Sequence, residues 1–118
     1  MNTKLICLVL AAMAISTSAL TCSSKSVGLG FLQIKDDTSG KVVTCAGTNQ
    51  CISIIGVYDA KPVVYKGCYQ DYVDNVEGYI NRPELLKPNA CNKNKLQVAS
   101  HESTPVTLCS CSTANCNK

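Results

Sequence analysis

Nine cysteines in a chain of 118 residues are the feature that most constrains its fold. Three of them, Cys109, Cys111 and Cys116, lie close together in the C-terminal stretch LCSCSTANCNK, whereas the others are widely spaced. So many cysteines in a short chain indicate an oxidising compartment and loops that return to one cross-linked cluster. The chain has no Trp, one Phe and five Tyr, so a core built from its side chains is thin. Disulfides supply the stability that such a core lacks.

Residues 1–19 predict a secretory signal peptide. Lys4 precedes an uninterrupted apolar run at residues 5–15, which is too short for an ordinary membrane-spanning helix. Small residues then lead to Ala19, and we expect cleavage between Ala19 and Leu20, with Ser18 as the alternative site. The mature chain is then a single domain of residues 20–118. The competing interpretation of the apolar run is an N-terminal helix buried in the mature domain.

Cleavage also removes Cys7 and leaves an even number of cysteines, all of which can pair. They are Cys22, Cys45, Cys51, Cys68, Cys91, Cys109, Cys111 and Cys116. Eight cysteines allow 105 different pairings, and counting alone does not choose among them. Every cysteine is used in a bridge in this interpretation, so no thiol remains for catalysis.

The charge and hydropathy of the mature chain exclude several classes of partner. Loss of Lys4 leaves ten basic and eight acidic residues, too small an excess to indicate nucleic acid or an anionic membrane. A glycolipid anchor requires a hydrophobic tail, and no second apolar segment follows the signal. We therefore expect a soluble, secreted, monomeric protein without a membrane anchor.

Three pairs of apolar, β-branched segments, each separated by turn-forming residues, predict three β-hairpins. The paired segments are residues 27–34 and 42–43, residues 52–58 and 63–65, and residues 96–99 and 106–108, with turns at residues 36–40, 59–62 and 100–105. Between the second and third hairpins, apolar residues recur every three or four positions from Tyr69 to Ile80, which predicts an amphipathic helix. Residues 82–88 predict one further helical turn bounded by prolines. The alternative for this region is an irregular loop whose tyrosines cover the sheet.

The predicted fold class is therefore all-β, small and disulfide-rich, with a short helical insertion over residues 69–88. With Leu20-Thr21-Cys22 at its start and Cys111-x4-Cys116-Asn117 at its end, the mature chain resembles the three-finger superfamily, which contains Ly-6/uPAR domains and snake three-finger toxins. The resemblance implies three hairpins extending from a four-disulfide knot. It also implies the pairs Cys22–Cys51, Cys45–Cys68, Cys91–Cys109 and Cys111–Cys116.

The chain departs from the family pattern in three places. Ser110 separates two cysteines that family members usually place side by side. The segment between Cys68 and Cys91 is much longer than in the toxins. Cys22 also lacks the nearby second cysteine that many Ly-6 domains have.

Motifs for catalysis and metal binding are absent from the sequence. His101 is the single histidine, and no activated nucleophile or phosphate-binding loop accompanies it. Asp71, Asp74 and Glu77 lack the spacing of a calcium loop and are better explained as the solvated face of the helix. A Cys-x-Cys pair can bind zinc or exchange disulfides, but in a secreted chain structural disulfides account for it. We expect no catalytic residues, no metal ligands and no cofactor.

What remains is a surface for protein recognition, because a cross-linked scaffold presents its hairpin tips with little loss of freedom. The candidate contact residues are Tyr58, Asp59 and Lys61 at the second tip and Tyr72 and Tyr79 on the helical insertion. The competing interpretation of the helical tyrosines is that they cover one face of the sheet.

The sequence therefore predicts a secreted, non-enzymatic three-finger protein that binds or modulates an extracellular receptor or another extracellular protein. One alternative is a toxin-like ligand of an ion channel. The other is a structural or lipid-carrying protein, with Ile54, Ile55 and the tyrosines lining a cavity.

Overall fold

The computed structural model describes residues 19–47, 50–81, 89–97 and 103–118. Within them, six strands form one antiparallel sheet in the order β2-β1-β4-β3-β6-β5. The strands are β1 (Thr21–Val27), β2 (Asp37–Thr44), β3 (Cys51–Tyr58), β4 (Lys61–Cys68), β5 (Cys91–Leu96) and β6 (Thr104–Cys111). The helix α1 (Tyr69–Asn75) and two 3-10 turns (Gly30–Leu32 and Glu77–Tyr79) complete the fold. The prediction of a small, disulfide-rich, all-β fold is confirmed. Residues 1–18 of the predicted signal peptide, the predicted helical turn at residues 82–88 and His101 lie outside the described residues.

Four disulfides cross-link the domain, three of them at the bases of the hairpins and the fourth between the end of β6 and the C-terminal residues. Cys22–Cys51 and Cys45–Cys68 have Cα–Cα distances of 5.5 and 5.6 Å, and Cys91–Cys109 and Cys111–Cys116 have distances of 4.0 and 6.0 Å. These are the four pairs that the resemblance implies. Consecutive strands pair as hairpins β1–β2, β3–β4 and β5–β6. Topology and bridges together fit a three-finger-like fold.

The side chain of Asn117 fixes the C-terminus to the sheet. Its Oδ1 accepts a hydrogen bond from the Ser23 backbone N–H at 2.8 Å. Its Nδ2 donates to the backbone oxygens of Ser23 and Ile52, at 2.9 and 3.0 Å. Asn117 is 6% exposed, so three hydrogen bonds form away from water. The terminus is therefore held by a side chain as well as by the disulfide of the preceding residue.

The first hairpin differs from its prediction. Strand β1 ends at Val27, and the predicted strand over residues 27–34 is instead a loop containing a 3-10 turn. Leu29 and Leu32 are buried there, so the apolar pattern fills the core from a turn and not from a strand. Gly28 has φ +70°, and a Cβ at this position would contact the Pro62 carbonyl oxygen. The predicted turn at residues 36–40 is also wrong, because β2 already begins at Asp37.

The second hairpin agrees more closely with its prediction. Strands β3 and β4 pair from Cys51 opposite Cys68 to Tyr58 opposite Lys61. The two residues between them, Asp59 and Ala60, have φ of 51° and 60°. Positive φ at both central residues is the geometry of the type I′ turn, whose twist matches that of the flanking strands. The turn is shorter than predicted, since Lys61 already belongs to β4.

The third hairpin starts earlier than predicted. Strand β5 begins at Cys91 and ends at Leu96, where the predicted strand was to begin. Its polar residues have low strand propensity, but Cys91 lies directly opposite its disulfide partner Cys109, which holds the strand in register. Strand β6 also includes Pro105, which the sequence had placed in the turn. Residues 98–102 lie outside the described part of the chain.

Ser110 sets the orientation of the two cysteines beside it. Side chains alternate between the two faces of a strand, so Cys109 and Cys111 point to the same face. Ser110 points to the other face, is 4% exposed, and donates its backbone N–H to the Ala90 oxygen at 2.9 Å. The family pattern with adjacent cysteines would direct them to opposite faces.

The core lies on one face of the sheet, here called the inner face. It includes Ile52, Ile54, Val63, Tyr65 and Leu108 from the strands. Tyr72, Val76 and Ile80 from the helical segment pack against them, together with the leucines of the first hairpin tip. The helical prediction is confirmed for α1, although the helix ends at Asn75 and a 3-10 turn continues the segment. No helix in the described ranges is long and apolar enough to cross a membrane.

Candidate binding face

The opposite face of the sheet carries exposed apolar side chains at its centre. Along β3, Ile52 and Ile54 have no exposed area, whereas Ile55 is 50% and Val57 is 60% exposed. The alternation follows from the two-residue period of a strand, which directs Ile55 and Val57 away from the core. Large apolar side chains grouped on a surface are typical of interaction sites.

Neighbouring strands extend this group into a stripe across the sheet. Ile55 lies opposite Val64 of β4, and Val64 lies opposite Val27 of β1. Val57 lies opposite Pro62. On the far side of β3, Ile55 lies opposite Thr107 of β6. An apolar stripe therefore crosses three adjacent strands.

Lysines border the stripe on two sides. Lys25 of β1 and Lys66 of β4 lie directly opposite each other, two residues from Val27 and Val64 and hence on the same face. Lys93 and Lys95 of β5 lie opposite Thr107 and Pro105. The term open face is used below for the stripe and its border. Its residues are Lys25, Val27, Ile55, Val57, Pro62, Val64, Lys66, Lys93, Lys95, Pro105 and Thr107.

Two hollows meet at Ile55. The larger is a groove of about 610 Å³ whose wall includes Ile55, Lys93, Lys95, Thr107 and Asn81. The smaller, of about 420 Å³, lies near the disulfides and includes Ile55, Lys66 and Cys109 in its wall. The open face is therefore concave along the β5–β6 side and not flat.

Gly56 allows the strands beneath the groove to approach closely. A Cβ at Gly56 would contact the Pro105 carbonyl oxygen and lie 2.8 Å from Cγ1 of Val106. Any other residue here would push β3 and β6 apart. The groove therefore depends on a glycine.

The predicted contact residues at the second hairpin tip lie together. Asp59 and Lys61 are exposed, while Tyr58 is partly buried. The Tyr58 ring lies 6.1 Å from the Phe31 ring, between centroids, so the tips of the first two hairpins are in contact. Tyr58 follows Val57 directly, which places this tip at one end of the open face.

The predicted role of Tyr72 in partner binding is wrong. Tyr72 has no exposed area and packs in the core, so it cannot contact a partner. Its ring centroid lies 5.9 Å from that of Tyr69. Burial raises the pKa of the Tyr72 hydroxyl well above its usual range. The competing interpretation, that tyrosine covers the sheet, is the correct one here. Tyr79 is 37% exposed but belongs to the helical segment and not to the open face.

Sequence reasoning missed the residues of the open face. Both Ile54 and Ile55 are apolar, so the pattern alone did not tell which of them points outward. One available signal was the alternation of Lys93 and Lys95 after Cys91, because residues two apart share a face of a strand. The same alternation separates Ile54 from Ile55, so these two residues do not line one cavity as the lipid-carrying alternative required.

The cysteine sulfurs form two close groups that resemble metal sites. One contains Cys22, Cys45 and Cys68, and the other contains Cys51, Cys111 and Cys116. All six are in disulfides, and a metal ligand must be a thiolate. The groups therefore reflect the packing of neighbouring disulfides.

Comparisons of the chain with family models, with curated proteins and with solved structures found no match.

Proposed function

We propose that this chain is a secreted, non-enzymatic, Ly-6-like three-finger protein that binds an extracellular receptor or another extracellular protein through its open face. The observation that carries the proposal is the exposure of Ile55 and Val57 at the centre of a disulfide-braced sheet. Four disulfides are compatible with a secreted protein.

The energetics favour binding at this face. Fully burying an Ile or Val side chain contributes about 1.5–3 kcal/mol, and Ile55 and Val57 retain 50% and 60% of their area for a partner to cover. Covering both is then worth about 2–3 kcal/mol. Little ordering is required in return, because these side chains stand on paired strands and not on loops.

The second hairpin tip extends the proposed contact surface. Asp59 and Lys61 follow the exposed Val57 and offer one negative and one positive group. Tyr58 supplies an aromatic side chain whose position is restricted by Phe31. Aromatic anchors held in place in this way are enriched among residues that dominate binding energy.

A matched pair of substitutions tests the proposal. Val57 and Val42 are both 60% exposed, but Val42 lies on the edge strand β2, which is separated from β3 by two other strands. The folded mature protein and its Val57→Ser and Val42→Ser variants are immobilised and used to capture proteins from extracellular extract, and the affinity for the captured protein is then measured. We expect Val57→Ser to weaken binding about tenfold and Val42→Ser to leave it unchanged. Equal effects of the two substitutions, or no saturable binding, would contradict the proposal.

A further inference from the structure

The four lysines of the open face lie in pairs that are close enough to repel each other, so negatively charged groups are favoured beside them. Lys25 and Lys66 are direct cross-strand neighbours, and like charges in that position repel each other. Lys93 and Lys95 are two residues apart on one face of β5, a separation of about 7 Å. Within the described residues, no ion pair joins these four lysines to a carboxylate; the pair that is seen joins Lys41 to Asp37 at 3.9 Å. An acidic partner would relieve the repulsion.

The described carboxylates are not among the residues of the open face, although Asp36 and Asp59 lie near its end at the hairpin tips. Asp71, Asp74 and Glu77 belong to the helical segment, which packs against the inner face. Asp36, Asp37 and Asp59 belong to the first hairpin and the second tip. The open face is consequently basic although the chain as a whole is nearly neutral. The small net charge does not reveal that the lysines and the carboxylates occupy different parts of the surface. Such a field attracts and orients an acidic partner.

The spacing of the lysines specifies more than the sign of the charge. Lys66 on β4 and Lys93 on β5 are three strand positions apart across the sheet and two residues out of line along it, or about 16 Å. Ile55 on β3 lies between them. An extended chain advances about 3.3 Å per residue, so acidic residues four positions apart lie about 13 Å apart, and the length of the lysine and carboxylate side chains covers the remaining few ångströms. A residue midway between them points to the same side and meets Ile55.

The shape of the face favours a polypeptide over a lipid surface. The groove beside Ile55 is about 610 Å³ in volume and has Lys93 and Lys95 in its wall. The carboxamide of Asn81, also in the wall, can hydrogen-bond to a peptide backbone. A bilayer surface is flat on this scale and cannot fill such a groove, whereas the side chains of an extended segment can.

We infer that the open face receives an extended segment of the partner in which two acidic residues, four positions apart, flank an apolar residue. One carboxylate lies by Lys25 and Lys66, the other lies by Lys93 and Lys95, and the apolar side chain covers Ile55. This inference rests on the proposed function and adds the chemistry of the partner to it.

Titration of the isotope-labelled mature protein with a synthetic peptide tests the inference. The probe is acetyl-Gly-Glu-Ser-Leu-Ser-Glu-Gly-amide, and its control has Gln in place of both Glu. We expect amide shifts at Ile55, Lys93 and Thr107 with the probe but not with the control peptide. Affinity should fall as NaCl is raised from about 20 to about 300 mM, because exposed ion pairs are screened by salt.

Two double variants that remove the same charge test whether peptide binding depends on the lysines of the open face or only on the net charge of the protein. The variant with Lys93→Gln and Lys95→Gln should bind the probe about fivefold more weakly than wild type. The variant with Lys35→Gln and Lys41→Gln loses the same charge at or beside β2 and should bind as wild type does. Equal weakening by both double variants would overturn the inference.

Three other results would also overturn it. One is lysine-dependent binding to phosphatidylserine vesicles without binding of the peptide, which would assign the face to a membrane. Another is self-association in sedimentation that the Lys93 and Lys95 substitutions abolish, which would assign it to a second copy. The third is a peptide that does not bind while capture still depends on Val57. In that case the proposed function stands and the acidic partner is refuted.

Discussion

Replacement of Asn117 by Ala removes the three hydrogen bonds that join the C-terminus to β1 and β3. The groups that lose their partner are the Ser23 N–H and the carbonyls of Ser23 and Ile52. Ser23 and Ile52 are 6% and 0% exposed, so water reaches these groups poorly. Each buried group left without a partner costs about 1–3 kcal/mol. Allowing for partial hydration of the new cavity, we expect a loss of about 2–4 kcal/mol, a large share of the usual 5–15 kcal/mol.

Guanidinium unfolding with the disulfides intact measures this loss. Asn75→Ala is the matched control, because its Nδ2 donates to the Asp71 oxygen at 2.9 Å but the residue is exposed. That variant should lose at most about 0.5 kcal/mol. A loss below about 0.5 kcal/mol in Asn117→Ala as well would refute the reasoning, since it would mean that water replaces the side chain without cost.

Asn117→Asp keeps the shape of the side chain and adds a dependence on pH. A carboxylate can still accept from the Ser23 N–H but faces the carbonyls of Ser23 and Ile52, which repel it. Its pKa in the folded state is therefore raised above the unfolded value near 3.9. A raised pKa gives stability that is present below about pH 4 and is lost as pH rises through the folded value. The deficit relative to wild type should be larger at pH 7 than at pH 3; an equal deficit at both would contradict this assignment.

Three further predictions concern stability. Gly56→Ala should destabilise the protein by about 1–3 kcal/mol, because its Cβ would lie 2.8 Å from Cγ1 of Val106. Gly78→Ala, whose Cβ would have nothing within 4 Å, should not destabilise it, and equal losses of the two variants in thermal unfolding would contradict the prediction. Ala60→Gly should stabilise by about 1 kcal/mol, since Ala60 has φ 60°; an unchanged or lower midpoint in urea would be against it. Burial raises the pKa of the Tyr65 and Tyr72 hydroxyls, so these groups lose their protons more readily in the unfolded chain than in the folded protein. The free energy of unfolding should therefore fall as the pH rises above about 10. Absorbance titration should show two tyrosines that ionise only on unfolding.

The sequence was most informative where one residue type has one structural use. The predicted removal of Cys7 with the signal peptide left an even number of cysteines, for which disulfides were the favoured role, and the resemblance supplied their pairing. The run from Tyr69 to Ile80 was predicted as helical from its spacing, and α1 begins at its first residue. The second hairpin was located from β-branched residues on both sides of Asp59.

Two features were beyond the sequence for physical reasons. In the first hairpin, the apolar residues 27–34 suit either a buried strand or a turn, and the close approach of Gly28 to the Pro62 carbonyl is visible only in three dimensions. On β3, every residue from Ile54 to Tyr58 except Gly56 suits a strand. Which face becomes the core depends on where the helical segment packs. Strand β3 was therefore predicted correctly, but which of its side chains belong to the open face was not predictable from the sequence.

The position of Ser110 has a consequence for how the chain tolerates insertions and deletions. Cys109 is bonded across the sheet to Cys91, and Cys111 lies opposite Cys51, so both positions are fixed independently. Deleting Ser110 would move the second cysteine to the inner face, beside Ile52, and turn its sulfur away from Cys116. The number of residues between these two cysteines must therefore stay odd, because adding or removing one residue would direct the second cysteine to the opposite face of the sheet.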